Sequence, residues 1–165
     1  MKLVICEKPS VGAAVAAALG VTGKKDGYIE NDKYIISWCI GHLVQLSEAA
    51  AYGEQYKKWS YDSLPILPQE WQYTVAADKG KQFKILKDLM HRADVSEVVN
   101  ACDAGREGEL IFRFVYHQAG CKKPFTRLWI SSMETDAIRS GFEHLKDGRG
   151  YDTLYHSALC RAKAD

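Results

Sequence analysis

The stretch from Glu97 to Phe112, Glu-Val-Val-Asn-Ala-Cys-Asp-Ala-Gly-Arg-Glu-Gly-Glu-Leu-Ile-Phe, constrains the fold more than any other part of the chain. Val98, Val99, Ala101 and Cys102 make the short apolar run that fills a strand buried on both faces, and the run stops at Asp103. Ala104 and Gly105 then allow a tight turn. Beyond it, Glu107, Glu109, Leu110, Ile111, Phe112, Phe114 and Val115 read as a helix with acids in its first turn. Asp103 and Glu107 are thereby expected on the carboxyl-end rim of a sheet, where open α/β sheets bind ligands, and clustered hard oxygens there suit Mg²⁺. Two plainer explanations compete. Glu109 is expected simply to complement the helix dipole, and Asp103 can pair with Arg106 as a structural ion pair.

The amino-terminal end repeats the pattern. Leu3 to Cys6 is a buried-strand run that closes on Glu7-Lys8-Pro9-Ser10, and a helix through Ala13 to Leu19 follows, stopped by Gly20. Gly20 to Lys25 lacks the spacing of a phosphate-binding P-loop. Gly27 to Asn31 and Lys33 to Ile40 read as a hairpin turning at Asn31-Asp32. His42, a lone histidine just past that strand, reads as a packing residue. Residues 47–75 form an irregular excursion in which Tyr52, Tyr61, Trp71 and Tyr73 pin loop to core, while Trp59, behind Lys57 and Lys58, is also suited to stacking on bases. Asp78 to Ala93 predicts an amphipathic helix through Phe83, Leu86, Leu89 and Met90. Phe125 to Ile130 predicts another strand, and Ser131 to Glu134 a capping box ahead of a helix through Ile138, Phe142 and Leu145. Alternation of strand and helix predicts an α/β fold with a parallel sheet flanked by helices. Tyr151 to Asp165 starts a further helical pattern that stops without a cap, as a piece of a longer protein would.

Composition narrows the functional classes. A chain of 165 residues, 47% hydrophobic, supplies the core of one ordinary domain. With 22 basic and 21 acidic residues, there is no bulk charge to draw nucleic acid or membrane, so any DNA contact is local. Five scattered cysteines without a Cys-x-x-Cys argue against disulfides and zinc and for free thiols in a reducing compartment. No signal-peptide core or membrane-length apolar run is present, which predicts a cytoplasmic protein with no membrane partner.

Glu7 closing the first strand and Asp103…Glu107 following the central one resemble the Toprim domain shared by type IA topoisomerases, primases and some nucleases. Five segments in order narrow the likeness: Glu7 to Gly12, Gly41-His42-Leu43, Leu64-Pro65-Ile66, Asp103 to Leu110, and Arg127 to Ser132. Together they look like the amino-terminal part of the bacterial topoisomerase III family, across essentially the whole chain. The resemblance implies a Rossmann-like Toprim domain over residues 1–148, with residues 149–165 starting the next helical domain, truncated here. It implies an enzyme that cleaves one DNA strand by tyrosine transesterification, passes another and reseals, with the nucleophilic tyrosine beyond Asp165, so that this piece alone is inactive. Partners are then single-stranded DNA segments and the remaining domains of the polypeptide, with no small-molecule cofactor. The implied metal ligands for Mg²⁺ are Glu7, Asp103 and Glu107. The implied catalytic residues are Glu7 and Lys8, and the strand contacts Lys8, Trp59, Arg106 and Arg161. One departure stands out: the family pattern is Asp-x-Asp-x-Glu, and Gly105 replaces the second Asp, removing a carboxylate from the metal site. A Toprim nuclease or primase, or a non-enzymatic signalling module with acids around Mg²⁺, are the rival readings. The Glu7 and Arg127 segments speak against the first, and Cys6-Glu7, lacking paired acids, against the second.

Overall fold

The computed structural model describes residues 1–165. Strand β1 (Lys2–Cys6) is followed by α1 (Pro9–Leu19), then β2 (Gly23–Lys25), β3 (Tyr28–Glu30), β4 (Tyr34–Trp38), β5 (Val44–Leu46) and β6 (Tyr73–Val75). Next come α2 (Gly80–Met90), β7 (Glu97–Ala101), α3 (Arg106–Gln118), β8 (Phe125–Arg127), α4 (Thr135–Glu143), β9 (Lys146–Asp147) and α5 (Asp152–Ala164). Seven strands form one sheet in the order β2-β3-β4-β1-β7-β8-β9, and β5 and β6 pair separately. The four central strands are parallel, whereas β2, β3 and β9 add antiparallel edges.

The period-2 pattern of β1 explains why helices cover both faces. Leu3 and Ile5 join one core with Ile35, Leu86, Val98 and the buried side of α3, while Val4 and Cys6 join a second with Val15, Ile36, Val99, Leu128 and Ile138. Burying every β1 side chain from Leu3 to Cys6 completely is what a central strand requires, and it accounts for the unbroken apolar run. Helix α5 packs along α3, and its Tyr155 and Ala158 are buried in the first core.

Three local expectations differ from the structure. Residues Gly23–Lys25, read only as a failed phosphate loop, extend the hairpin as a third strand against β3. The capping box does not form: Ser132 Oγ accepts from the Glu134 amide at 3.2 Å, closing a turn, and α4 starts at Thr135 with Glu134 as an uncapped N-terminal residue. β8 ends at Arg127, short of Ile130. The excursion at 47–75 holds three short 3-10 turns, at Ala49–Tyr52, Glu54–Tyr56 and Tyr61–Ser63, before β6 returns to pair with β5. No helix is long and apolar enough to cross a membrane.

Candidate metal and phosphate site

Parallel pairing aligns Cys6 with Ala101, so the residues that follow β1 and β7 emerge side by side. The chain crosses from the β4 side of β1 to the β7 side here, and a sheet opens a crevice at such a reversal of strand order. Glu7 and Asp103 stand on that crevice. Burial first, and the neighbouring Asp103 carboxylate second, push the Glu7 carboxyl above its ordinary range, with the Lys8 ammonium opposing the shift. Lys8 itself is exposed and occupies the N-cap position of α1.

Glu7, Asp103 and Glu107 line one cleft of about 380 Å³ together with Arg106 and Arg161. Arg161 reaches it from the last turn of α5, which is placed there by packing against α3. Asp103 is exposed and makes no ion pair with Arg106, so the structural pair weighed from the sequence does not form. Glu107 is 71% exposed and bonds to Nε2 of His42, which corrects the reading of His42 as packing only. Backbone geometry brings His42 there: the Cys39 amide donates to the Cys6 carbonyl at 2.8 Å and the Gly41 amide to the Glu7 carbonyl at 3.2 Å. The chain then turns at Gly41, whose φ of 60° favours glycine.

Trp59 lies elsewhere. It is 82% exposed and borders a more apolar groove with Tyr61, Trp71 and Lys163, outside the acid cleft. Lys57 is engaged by Glu54 at 2.6 Å.

Glu109, expected only to complement the helix dipole, is fully buried. Two residues past Glu107 on a helix of 3.6 residues per turn, it points inward instead of into the cleft. Its Oε2 accepts from Arg113 Nε at 2.9 Å and Asn100 Nδ2 at 3.2 Å, and its Oε1 lies 3.1 Å from Arg127 Nε. That last contact is a charge contact poorly aligned for hydrogen bonding, and both atoms are otherwise without partners. Arg127 is also fully buried, and desolvation pulls its pKa down against the attraction of Glu109. Arg113 continues outward to Asp152 at 2.8 Å and to the Gly148 carbonyl at 3.0 Å. Sequence reasoning missed this network, because an acid followed four residues later by an arginine on a helix reads as an exposed pair.

The donor set fits Mg²⁺ in a specific way. No three acidic, histidine or cysteine side chains are gathered closely enough to hold an ion unaided. Glu7 and Asp103 do approach each other, and Mg²⁺ typically takes one or two carboxylates and draws its remaining ligands from water and substrate phosphate. Arg106 and Arg161, lining the same cleft, supply the planar donor forks that match phosphate oxygens.

The Toprim domain family model matches residues 2–133, and the chain belongs to that family. Among its relatives, DNA topoisomerase 3 of Shouchella clausii is 49% identical over 99% of the chain, and DNA topoisomerase 3 of Bacillus subtilis is 45% identical over the same share. The chain spans 22% of the length of each of these relatives. The fold also resembles full-length topoisomerase I from Thermotoga maritima, with a TM-score of 0.57 and 19% identity over 88% of this chain and 21% of that one.

Proposed function

We propose that the chain is the Mg²⁺-binding Toprim part of a type IA DNA topoisomerase of the topoisomerase III kind, acting on single-stranded segments of DNA in the cytoplasm. The observation that carries this reading is the pairing of Glu7 with Asp103 at adjacent strand ends, with Arg106 and Arg161 across the same cleft. Acids that repel one another next to guanidinium groups suit a metal-bridged phosphate better than a neutral ligand. Mg²⁺, held by Asp103 with Glu107 and the ionised form of Glu7 within reach, would neutralise charge on the scissile phosphate.

The rest is work for side chains. Arg106 and Arg161 hold phosphate oxygens, and Lys8 adds positive charge beside Glu7. A tyrosine oxygen supplied from outside these residues attacks phosphorus, its phenolic proton passing to water; the O–P bond to tyrosine forms as the bond to the departing sugar oxygen breaks. Glu7, its carboxyl proton retained closer to neutral pH, gives that proton to the leaving oxygen and recovers it on resealing. Residues 149–165 lead into the neighbouring domain, and Trp59 offers a stacking face to a strand passing farther from the chemistry.

The test compares this chain with the longer protein containing it. A labelled single-stranded oligonucleotide and Mg²⁺ should give a covalent 5′-phosphotyrosyl adduct with the long form and none with the 165 residues, and Asp103→Asn in the long form should abolish it. An adduct on any of the nine tyrosines present here would overturn the assignment of the nucleophile. An inert long form would overturn the function.

A further inference from the structure

The carbonyl of Asp103 is held by an arginine that never reaches the cleft. Arg127 Nη2 donates to the Asp103 carbonyl at 2.6 Å, and Nη1 donates to the carbonyls of Cys102 at 2.5 Å and Asn100 at 3.2 Å. One guanidinium thus gathers the carbonyls of Asn100, Cys102 and Asp103 around the end of β7. From the other side α3 presses on the same turn: a Cβ at Gly108 would lie 2.1 Å from the Asp103 carbonyl oxygen and 2.8 Å from its amide nitrogen. Asp103 is therefore clamped through its backbone between β8 and α3 while its carboxylate stays in the cleft beside Glu7.

Burying an arginine completely is costly, and apolar side chains could fill the same volume without that cost. Arg127 is kept charged inside by Glu109, Glu109 is shared with Arg113, and Arg113 grips Asp152 at the start of the helix that carries Arg161. We infer that Arg127 is a positioning residue for Asp103, and that the buried chain Arg127–Glu109–Arg113–Asp152 fixes the acid on β7 relative to Arg161 on α5. It is a device for holding a carboxylate and a phosphate-binding guanidinium in one geometry, although neither is buried. The inference rests on the reading of Asp103 as a metal-facing acid, and the two can fail separately.

Two variants of the 165-residue chain test it. Arg127→Lys keeps the charge and removes the fork; the double variant Glu109→Leu, Arg127→Met replaces the buried pair by apolar side chains, so that the core survives without the clamp. The first readout is ¹⁵N relaxation at Ala104 and Gly105. Their order parameters should fall from the rigid value of about 0.85 towards about 0.6 in both variants, with Val98 and Val99 unchanged. The second is Mn²⁺ affinity in the presence of a single-stranded oligonucleotide, followed by paramagnetic broadening of the Ala104 amide. Loss of an outer partner of a ligand typically weakens binding about 10–100-fold, and that is the loss expected here. Folded variants with an unloosened turn and unchanged Mn²⁺ affinity would overturn the positioning role. Wild-type Mn²⁺ binding that survives Asp103→Asn would sink the metal reading alone, and the order parameters would still decide the clamp.

Discussion

His42 and Glu107, 65 residues apart in sequence, are bonded side chain to side chain on the lip of the acid cleft. The bond engages one carboxylate oxygen of Glu107, so that a cation entering between Glu7 and Asp103 meets two acids with no basic side chain bonded to them and a third already engaged. Removing the imidazole should release Glu107. His42→Ala is expected to leave unfolding free energy within about 0.5 kcal/mol of wild type, as for partly exposed positions generally, and to tighten Mn²⁺ binding in the presence of an oligonucleotide. Calorimetric titration checks this, and weaker binding would mean that His42 orients Glu107 for the metal.

Gly105 can take the missing acid. Its φ of 163° and ψ of 178° are ordinary extended backbone, and a Cβ there meets nothing within 4 Å. It also occupies the N-cap of α3, where Asp is favoured over Gly by a few tenths of a kcal/mol. Gly105→Asp should fold at least as well as wild type and raise metal affinity by adding a fourth carboxylate to the cleft lined by Glu7, Asp103 and Glu107. Thermal melts with and without Mn²⁺ measure both, the metal-induced rise in Tm being larger in the variant.

Glu109→Gln leaves two buried guanidinium groups facing a neutral amide. Breaking a buried pair in this way costs about 3–5 kcal/mol, more than losing any exposed pair on this surface. Urea unfolding should show that loss, and a variant within about 1 kcal/mol of wild type would mean water reaches Arg127 and Arg113.

Glu7 supplies a pH signature. Because its folded pKa is raised, protonated Glu7 contributes stability that is fully present below the unfolded carboxyl range and is lost as pH rises through the folded pKa. Above that pH the ionised group opposes folding. Glu7→Gln should therefore be more stable than wild type near pH 7.5, with the advantage vanishing near pH 4. Denaturation curves at the two pH values decide it; equal stability at pH 7.5 would mean Lys8 cancels the repulsion from Asp103.

How much of this could be read from the residues alone depends on what each residue's neighbours were. Glu7 and Asp103 each close a short, mostly apolar run, and that local signal placed both on the sheet rim before any pairing was known. The pairing of β1 with β7, which sets them side by side, is a long-range fact that the alternation of strands and helices made expected. Glu109 and Arg127 were not legible in their roles. Their burial depends on one another across 18 positions, and nothing in the helix pattern separates a buried acid from an exposed one two residues earlier. His42 was misjudged because its partner came from a helix 65 residues away. Gly105 reads as allowing a tight turn, and its extended backbone shows that the turn does not require glycine.

The antiparallel edges of the sheet carry a last consequence. A wholly parallel sheet would end in a strand open to pairing with another chain, whereas here the outermost strands are three residues with Lys24 and Lys25 on one side and the two residues Lys146 and Asp147 on the other. Strands so short and charged offer almost no ladder for a newcomer to extend. The domain is thereby shielded, at both edges of this sheet, from strand addition by its own copies, and association there falls to side chains, where sequence can specify it.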